Sequence, residues 1–195
     1  MIVFERFTKD ARTLVTTAVG RAEADGAARV DALHLLGAVV EPGSATGALD
    51  LLDAVDVAPS EIIDRVGELR RHAGLSDVDR RALRDLGIDV DVVVARAEDH
   101  HGEGALAVAT GGGGPGDPRR RRRRSRWHVR FGQDAKRVLE VSLRQALDVR
   151  DGYVGSEHVL PALATVPGPA ADVLLAAGAS PDRLRRAMLQ RRKAA

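Results

Sequence analysis

The apolar residues of this chain form two stripes that have the spacing of one face of an α-helix. The first stripe recurs every three or four residues, at Ala11, Leu14, Val15, Ala18, Val19 and Ala22. The second stripe repeats the spacing at Ala135, Val138, Leu139, Ser142, Leu143 and Ala146. Because an α-helix completes a turn in about 3.6 residues, each stripe predicts an amphipathic helix.

The two stripes belong to an internal repeat. Residues 7–36 align with residues 131–160 without a gap. The identical positions include Phe7 and Phe131, Asp10 and Asp134, Val30 and Val154, and His34 and His158. Each copy is too small to bury much apolar surface by itself, so we expect the two copies to pack on each other.

Each copy divides into four short helices. The long helix ends at Asp25-Gly26 or at Asp151-Gly152, and a shorter apolar helix follows, DALHLLGAVV in the first copy and SEHVLPALA in the second. Pro59 and Pro181 then stand near the start of the last helix, where proline is well tolerated. Thr8 is the predicted N-cap of the first long helix, and Gly132 caps the second more weakly. The fold class predicted is all-α, with two pseudo-twofold-related four-helix repeats.

The chain between the copies has a different character. We predict repeat 1 at residues 1–71, a helical insert at 72–104, a flexible Gly-rich and Arg-rich linker at 105–128, and repeat 2 at 129–195. In the insert, Ser76 is a candidate N-cap, Gly87 ends the first helix and Asp89 begins the second. The run GGGGPGDP favours neither helix nor strand.

Composition excludes several kinds of chemistry. The chain has no cysteine, so disulfides, thiolate nucleophiles and cysteine-ligated metals are excluded. His34 and His158 each lack the convergent ligands of a metal site, and adjacent His100 and His101 point in different directions on a helix, so we expect no metal and no cofactor. The early charges of MIVFERF and the absence of a long apolar run favour a cytoplasmic protein with no membrane partner.

The motifs FERFTKDAR and GSEHVLPAL, with the duplicated four-helix unit, resemble the Clp repeat (Clp N-terminal) domain. This domain receives substrates and adaptors at the N-terminus of AAA+ unfoldases of the ClpA, ClpC and ClpB type. The resemblance covers residues 2–71 and 129–192. The run GGGGPGD lacks the lysine and Ser/Thr of a phosphate-binding loop, so the chain resembles a stand-alone receiving domain without ATPase modules.

The resemblance implies a binding site for phosphoarginine. In the ClpC branch, the glutamate of the G-[ST]-E-H turn takes the guanidinium, and the helix start at the F-T motif helps to hold the phosphate. The matching positions here are Ser156 and Glu157 in copy two and Thr8 in copy one; Gly132 and Leu33 replace the other threonine and glutamate. We therefore expect at most one site, around Glu157 and weakened by Gly132. The alternative is that Glu157 only stabilises its own helix through the helix dipole.

The resemblance also implies an apolar patch between the repeats that receives peptides and adaptors. Phe4, Phe131 and Lys136 match its positions. The alternative interpretation is that the phenylalanines staple the long helices to the core.

A cluster of positive charge distinguishes the linker. Eight arginines lie between residues 119 and 130, and without them the formal net charge of +2 would be −6. Arginines that could contact a polyanion are Arg119, Arg120, Arg121, Arg122, Arg123, Arg124 and Arg126. Nonspecific binding of nucleic acid through this run, with Trp127 stacking on a base, is one hypothesis. A solvated, self-repelling linker is the other.

The sequence therefore favours a binding protein over an enzyme. Ser156, Glu157 and His158 are consecutive, whereas the members of a catalytic triad come from distant parts of a chain. The predicted function is a non-enzymatic module of Clp protein quality control, an adaptor-like or sequestering receptor for substrates that include arginine-phosphorylated ones. The alternative is a nucleic-acid-associated regulator that binds through the arginine run.

Overall fold

The computed structural model describes residues 3–43, 45–71, 77–101 and 129–194. Copy one consists of a short 3-10 helix, Val3–Arg6, and then α1 Lys9–Ala24, β1 Arg29–Val30, α2 Ala32–Val39, α3 Thr46–Ala54 and α4 Pro59–Arg71. The insert contains α5 Asp77–Asp85 and α6 Val90–His101. Copy two consists of β2 Arg130–Phe131, α7 Gln133–Asp148, α8 Ser156–Thr165, α9 Pro169–Ala176 and α10 Pro181–Ala194. The predicted all-α class and the four helices of each copy are confirmed.

The helix starts follow the predicted caps. Thr8 is the N-cap of α1, and its side chain accepts a hydrogen bond from the N–H of Ala11 at 3.1 Å. Gly132 occupies the N-cap position of α7 and has no side chain to offer. A Cβ at Gly132 would stand 2.6 Å from Oδ1 of Asp134 and 3.1 Å from the carbonyl oxygen of Val30, which explains why this position is a glycine.

The first residues of each copy form backbone pairs with residues of the other copy. Val30 of β1 pairs in parallel with Phe131 of β2, and an isolated parallel bridge joins Phe7 to Val154. The N–H of Gly132 donates to Val30 at 2.7 Å, and the aligned N–H of Thr8 donates to Val154 at 3.0 Å. Because aligned residues form the same bonds in both directions, the two copies are related by a pseudo-twofold axis.

One aliphatic core serves both copies. The stripes of α1 and α7 face it, and the second helix of each copy lies within it. Its largest fully buried residues include Leu14, Leu35, Leu51, Leu160, Leu174 and Leu184. Ser142 replaces an apolar residue in the α7 stripe, and its hydroxyl donates to the carbonyl of Val138 at 2.6 Å, so this buried polar group is satisfied.

The insert forms a helix pair with a small packed face of its own. The backbone at Gly87 has φ of 81° between the two helices, and the side chain of Asp89 accepts a hydrogen bond from the N–H of Asp91 at 3.0 Å. Val90 and Val94 are buried but stand outside the main core. The predicted helix break and second start are confirmed, whereas Ser76 and the linker 105–128 lie outside the described residues.

Within the described part of the chain, no single helix has the length and apolar content needed to cross a membrane. Helices α8 and α9 pass that test only as a pair, and the pair is bent by 98°.

Candidate functional site

The pseudo-twofold axis creates two places where helix starts from different copies meet. At the first, which we call the Glu157 crossing, the starts of α1 and α8 meet the start of α3, bringing together Thr8, Asp10, Thr46, Ser156 and Glu157. At the second, the Leu33 crossing, the starts of α7 and α2 meet, bringing together Gly132, Asp134, Ala32 and Leu33.

Asp10 and Ser156 tie the Glu157 crossing together. The Ser156 hydroxyl donates a short hydrogen bond to Oδ2 of Asp10 and accepts one from the N–H of Ala48 at 3.1 Å. Oδ1 of Asp10 accepts from both the N–H and the hydroxyl of Thr46, each at 3.1 Å. Ser156 is fully buried, and these contacts use its hydroxyl as donor and as acceptor, so it positions the crossing and does not face solvent.

At the Leu33 crossing, the aligned aspartate, Asp134, also joins two helix starts. Oδ2 of Asp134 accepts from the N–H of Ala32 at 2.8 Å. Ala32 aligns with Ser156 but has no hydroxyl, and α9 begins at Pro169, which has no N–H to donate. Among the described residues, no carboxylate takes the place of Glu157 here, because Leu33 occupies the aligned position and packs against the core.

A buried histidine caps the second helix at each crossing. Nδ1 of His158 accepts the N–H of Gly155 at 3.0 Å, so the neutral ring carries its proton on Nε2, 3.1 Å from Oδ2 of Asp151. His34 does the same in α2, where its Nδ1 accepts the N–H of Asp31 at 3.1 Å. Both rings are buried, so each histidine is a packed cap of its own helix.

Glu157 lies on the wall of a pocket of about 260 Å³ between α3, α8 and α10. Its carboxylate curls back over Gly155, at the start of its own helix, and a Cβ on Gly47 would stand 2.5 Å from its Oε2. This position suits both interpretations of Glu157, because the carboxylate faces its helix start and also lines a cavity. The other lining residues are Gly47, Leu51, Val149, Asp151, Tyr153, Met188, Leu189, Arg191 and Arg192.

Two arginines of α10 close the far side of this pocket. Arg191 pairs with Asp50 at 2.7 Å and donates to the carbonyl of Gly47 at 3.2 Å. Arg192 pairs with Asp151 at 2.9 Å and donates a short hydrogen bond to the carbonyl of Val149. Both guanidinium groups are therefore engaged with the chain itself and fasten α10 across the pocket.

Glu157 differs from these paired groups. Among the described residues, its ion-pair neighbour is the His158 ring, whose Nδ1 lies 3.8 Å from Oε1 and already accepts a hydrogen bond. The side chain of Glu157 keeps 24% of its surface exposed. The pocket thus holds one carboxylate without an arginine or lysine partner in the described part of the chain.

The charge of Glu157 affects the pKa of Tyr153. Its ring stands edge-on to His158, with 5.9 Å between the ring centres. Burial raises the pKa of Tyr153, the negative charges of Glu157 and Asp151 raise it further, and the charge of Arg192 opposes them.

The structure describes the side chains of two residues of the predicted apolar patch. Phe131 is partly buried against the core, and Lys136 is exposed in the first turn of α7. Phe4 belongs to the 3-10 helix Val3–Arg6, and its side chain lies outside the described ones. The role of this patch stays a prediction, and so does that of the arginine run, because Arg119–Arg126 fall outside the described residues.

The residues that match the phosphoarginine site come together across the two copies in the fold. We expected Gly132 to weaken the Glu157 site because both belong to copy two. In the fold, Thr8 of copy one bonds to Val154 beside Glu157, whereas Gly132 bonds to Val30 beside Leu33. Thr8 of copy one and Glu157 of copy two therefore belong to the same crossing, and their role in binding stays a prediction.

Sequence reasoning missed Tyr153, Arg191 and Arg192 as lining residues. The cations of α10 have an ordinary explanation at a helix C-terminus, and neither arginine is near Glu157 in sequence. Among the residues that the structure describes, no three His, Asp or Glu side chains form a group that could hold a metal ion.

Comparison with known proteins finds a family match in copy two and a similar solved structure. Residues 127–193 match the family model of the Clp repeat (R) N-terminal domain. The N-terminal domain of the caseinolytic protease associated chaperone ClpD from Arabidopsis thaliana aligns over 96% of this chain and 98% of that one, with 20% identity and a TM-score of 0.47. The family match falls on copy two, and it agrees with the family that the sequence resembles.

Proposed function

We propose that this protein is a non-enzymatic binding module of Clp protein quality control, which receives segments of substrates or adaptors that present an arginine side chain. The family assignment of copy two supports a substrate- or adaptor-binding role in general. The observation that carries the arginine assignment is the carboxylate of Glu157, which lines a pocket between α3, α8 and α10 and has no arginine or lysine partner among the described residues.

The chemistry of the pocket matches an arginine side chain. A carboxylate and a guanidinium form charge-assisted, often bidentate hydrogen bonds, which are among the stronger polar contacts in proteins. Leu51 and Met188 line the same pocket and offer apolar surface to the methylene groups of the side chain. Tyr153, which is 47% exposed, supplies an aromatic wall on which a guanidinium stacks well.

The resemblance extends this function to phosphorylated arginine. In that version, Glu157 takes the guanidinium, and the start of α1 at Thr8 helps to hold the phosphate, since a helix N-terminus attracts anions. The meeting of Thr8 and Glu157 at one crossing supports a single combined site per chain.

The test is a calorimetric titration of the full chain with one peptide made in two forms, with arginine and with phosphoarginine. We expect at least one form to bind at one site per chain, and Glu157→Ala to abolish that binding. The matched control is Glu140→Ala, which removes an exposed glutamate of α7 outside the pocket and should leave affinity unchanged. If neither form binds the wild-type chain, or if Glu157→Ala binds as well as wild type, this function is wrong.

The alternative function, nonspecific binding of nucleic acid, is favoured by the arginine run of the sequence. It predicts an affinity for DNA that falls steeply with salt, because bound arginines release counterions from the phosphates. Replacing the arginines of 119–126 with glutamine should abolish the DNA binding and leave peptide binding unchanged. DNA affinity that is insensitive to salt would contradict this alternative.

A further inference from the structure

The charges around Glu157 are unbalanced toward the negative. Among the described residues, the polar contacts at the crossing and the lining of the pocket involve four carboxylates and two guanidinium groups. The carboxylates are Asp10, Asp50, Asp151 and Glu157, and the guanidinium groups are Arg191 and Arg192. His158 adds no positive charge in the neutral form that caps α8.

The two arginines have little positive charge left to offer an incoming anion. Arg191 is paired with Asp50, and Arg192 is paired with Asp151, so each cation is matched by a carboxylate at 2.7 or 2.9 Å. An incoming phosphate would compete with these carboxylates for the same guanidinium groups. Along the pocket, Glu157 is therefore the carboxylate that has no guanidinium partner among the described residues.

The helix start beside Thr8 is also already occupied by an anion. Asp10, two residues after Thr8, directs its carboxylate to Ser156 and Thr46, at the starts of α8 and α3. A phosphate placed at the start of α1 would stand close to this carboxylate. The positive ends of the helices, which normally attract phosphate, are here stabilised by the chain's own aspartate.

From this charge distribution we infer that the Glu157 pocket selects unmodified arginine over phosphoarginine. The guanidinium pairs with Glu157 and stacks on Tyr153, and the methylene groups lie along Leu51 and Met188. Adding a phosphoryl group reverses the charge of the ligand next to a site that has a surplus of carboxylates. The inference rests on the proposed function, and it gives that function a ligand opposite in charge to the one that the resemblance implies.

The experiment compares three forms of one peptide, with arginine, phosphoarginine or neutral citrulline at the same position, by calorimetry at neutral pH and moderate salt. We expect the arginine form to bind tightest, and the phosphoarginine form to bind more weakly by on the order of tenfold, because like charges oppose each other near a partly exposed site. Citrulline, which has the shape of arginine without its charge, should also bind more weakly than arginine.

A pair of matched variants tests the cause of the selection. Asp10→Asn removes one negative charge beside the site, so it should improve the affinity for the phosphoarginine form. The gap, which is the ratio of the affinities for the arginine and phosphoarginine peptides, should then become smaller. Asp134→Asn makes the aligned change at the Leu33 crossing and should leave the gap as it is. Thermal unfolding of both variants confirms that they are folded before titration.

The outcomes separate this inference from the function on which it rests. Phosphoarginine binding as tight as arginine, or tighter, overturns the inference and leaves the proposed function standing. An equal effect of Asp10→Asn and Asp134→Asn on the gap also overturns it. Failure of both arginine forms to bind the wild-type chain overturns the proposed function itself.

Discussion

The Glu157 crossing and the Leu33 crossing are built from aligned positions, yet they differ in the residues that we propose to bind. Both keep an aspartate on the long helix, Asp10 or Asp134, and a buried histidine cap, His158 or His34. They differ at four aligned pairs of positions: Thr8 aligns with Gly132, Tyr153 with Arg29, Gly155 with Asp31, and Glu157 with Leu33.

This difference separates the parts that hold the fold from the parts that bind. The aspartates join helix starts from the two copies, and the histidines cap the second helix of their own copy. Both contacts hold the fold at each crossing. The pocket also needs the two arginines of α10 and the aromatic wall of Tyr153, which belong to one crossing alone. The duplication therefore gives two crossings with the same framework. Substitutions distinguish the crossing that has the proposed site at Glu157.

Removing the histidine caps should cause the largest losses of stability, and the losses should differ between the crossings. We expect His158→Ala to lower the free energy of unfolding by about 3 kcal/mol and His34→Ala by about 2 kcal/mol, because each leaves a buried N–H without its acceptor and a cavity. The cost is larger at His158 because its partner Asp151 is 15% exposed, whereas Asp25, beside His34, is 40% exposed. Urea denaturation of the two variants measures the difference, and equal losses would contradict the asymmetry.

The aspartates should show the next largest difference. Asp10→Ala removes the acceptor for three hydrogen bonds and should cost roughly 2 kcal/mol, whereas Asp134→Ala removes the acceptor for the N–H of Ala32 and should cost roughly 1 kcal/mol. Denaturation curves recorded side by side measure both values. A larger loss for Asp134→Ala would show that the Leu33 crossing, and not the Glu157 crossing, holds the two copies together.

At acid pH, the stability that the Leu33 crossing contributes should change through the carboxyl group of Asp31, which the other crossing lacks. Burial acts to raise the pKa of Asp31, but its hydrogen bonds to His34 and the charges of His34 and Arg70 outweigh this, and the pKa falls below its ordinary value of 3.8. The stabilisation is therefore fully present above pH 3.8 and is lost as pH falls through the lowered pKa of the folded state. Gly155 takes the aligned position in the other crossing and has no carboxyl group.

The variant Asp31→Asn checks this assignment. The difference in unfolding free energy between wild type and Asp31→Asn should shrink as the pH is lowered below about 4, where the carboxylate of the unfolded chain also gains its proton. Chemical denaturation at several pH values between 2 and 7 on both proteins gives the curve. A difference that stays constant over this range would exclude Asp31 as the source.

The smallest expected effect is a spectroscopic one at the Glu157 crossing. Tyr153 is the single tyrosine of the chain, so its ionisation is read directly from the ultraviolet absorbance. Burial and the charges of Glu157 and Asp151 raise its pKa above the ordinary 10.0, so Glu157→Gln should move the titration midpoint back down. Glu140→Gln serves as the control, and a midpoint unchanged by Glu157→Gln would place the carboxylate away from the phenol.

The sequence was a good guide to local structure. The helix stripes, the cap at Thr8, the first-position prolines of α4 and α10, and the break at Gly87 were all predictable, because each depends on residues within a few positions of one another. The repeat also predicted that the copies would pack together. The pocket was not predictable, because Gly47, Tyr153 and Arg191 come from three separate parts of the chain.

By itself, the sequence determined which positions of the two copies are equivalent, which helices form, and which family copy two resembles. Only the tertiary structure decided which copy completes which crossing. Alignment of the copies shows that Thr8 corresponds to Gly132 and Leu33 to Glu157, but it is silent on whether partners come from the same copy or from the other. The backbone pairing of Thr8 with Val154 and of Gly132 with Val30 sets that exchange, because an extended segment satisfies its hydrogen bonds with whichever segment the shared core brings beside it.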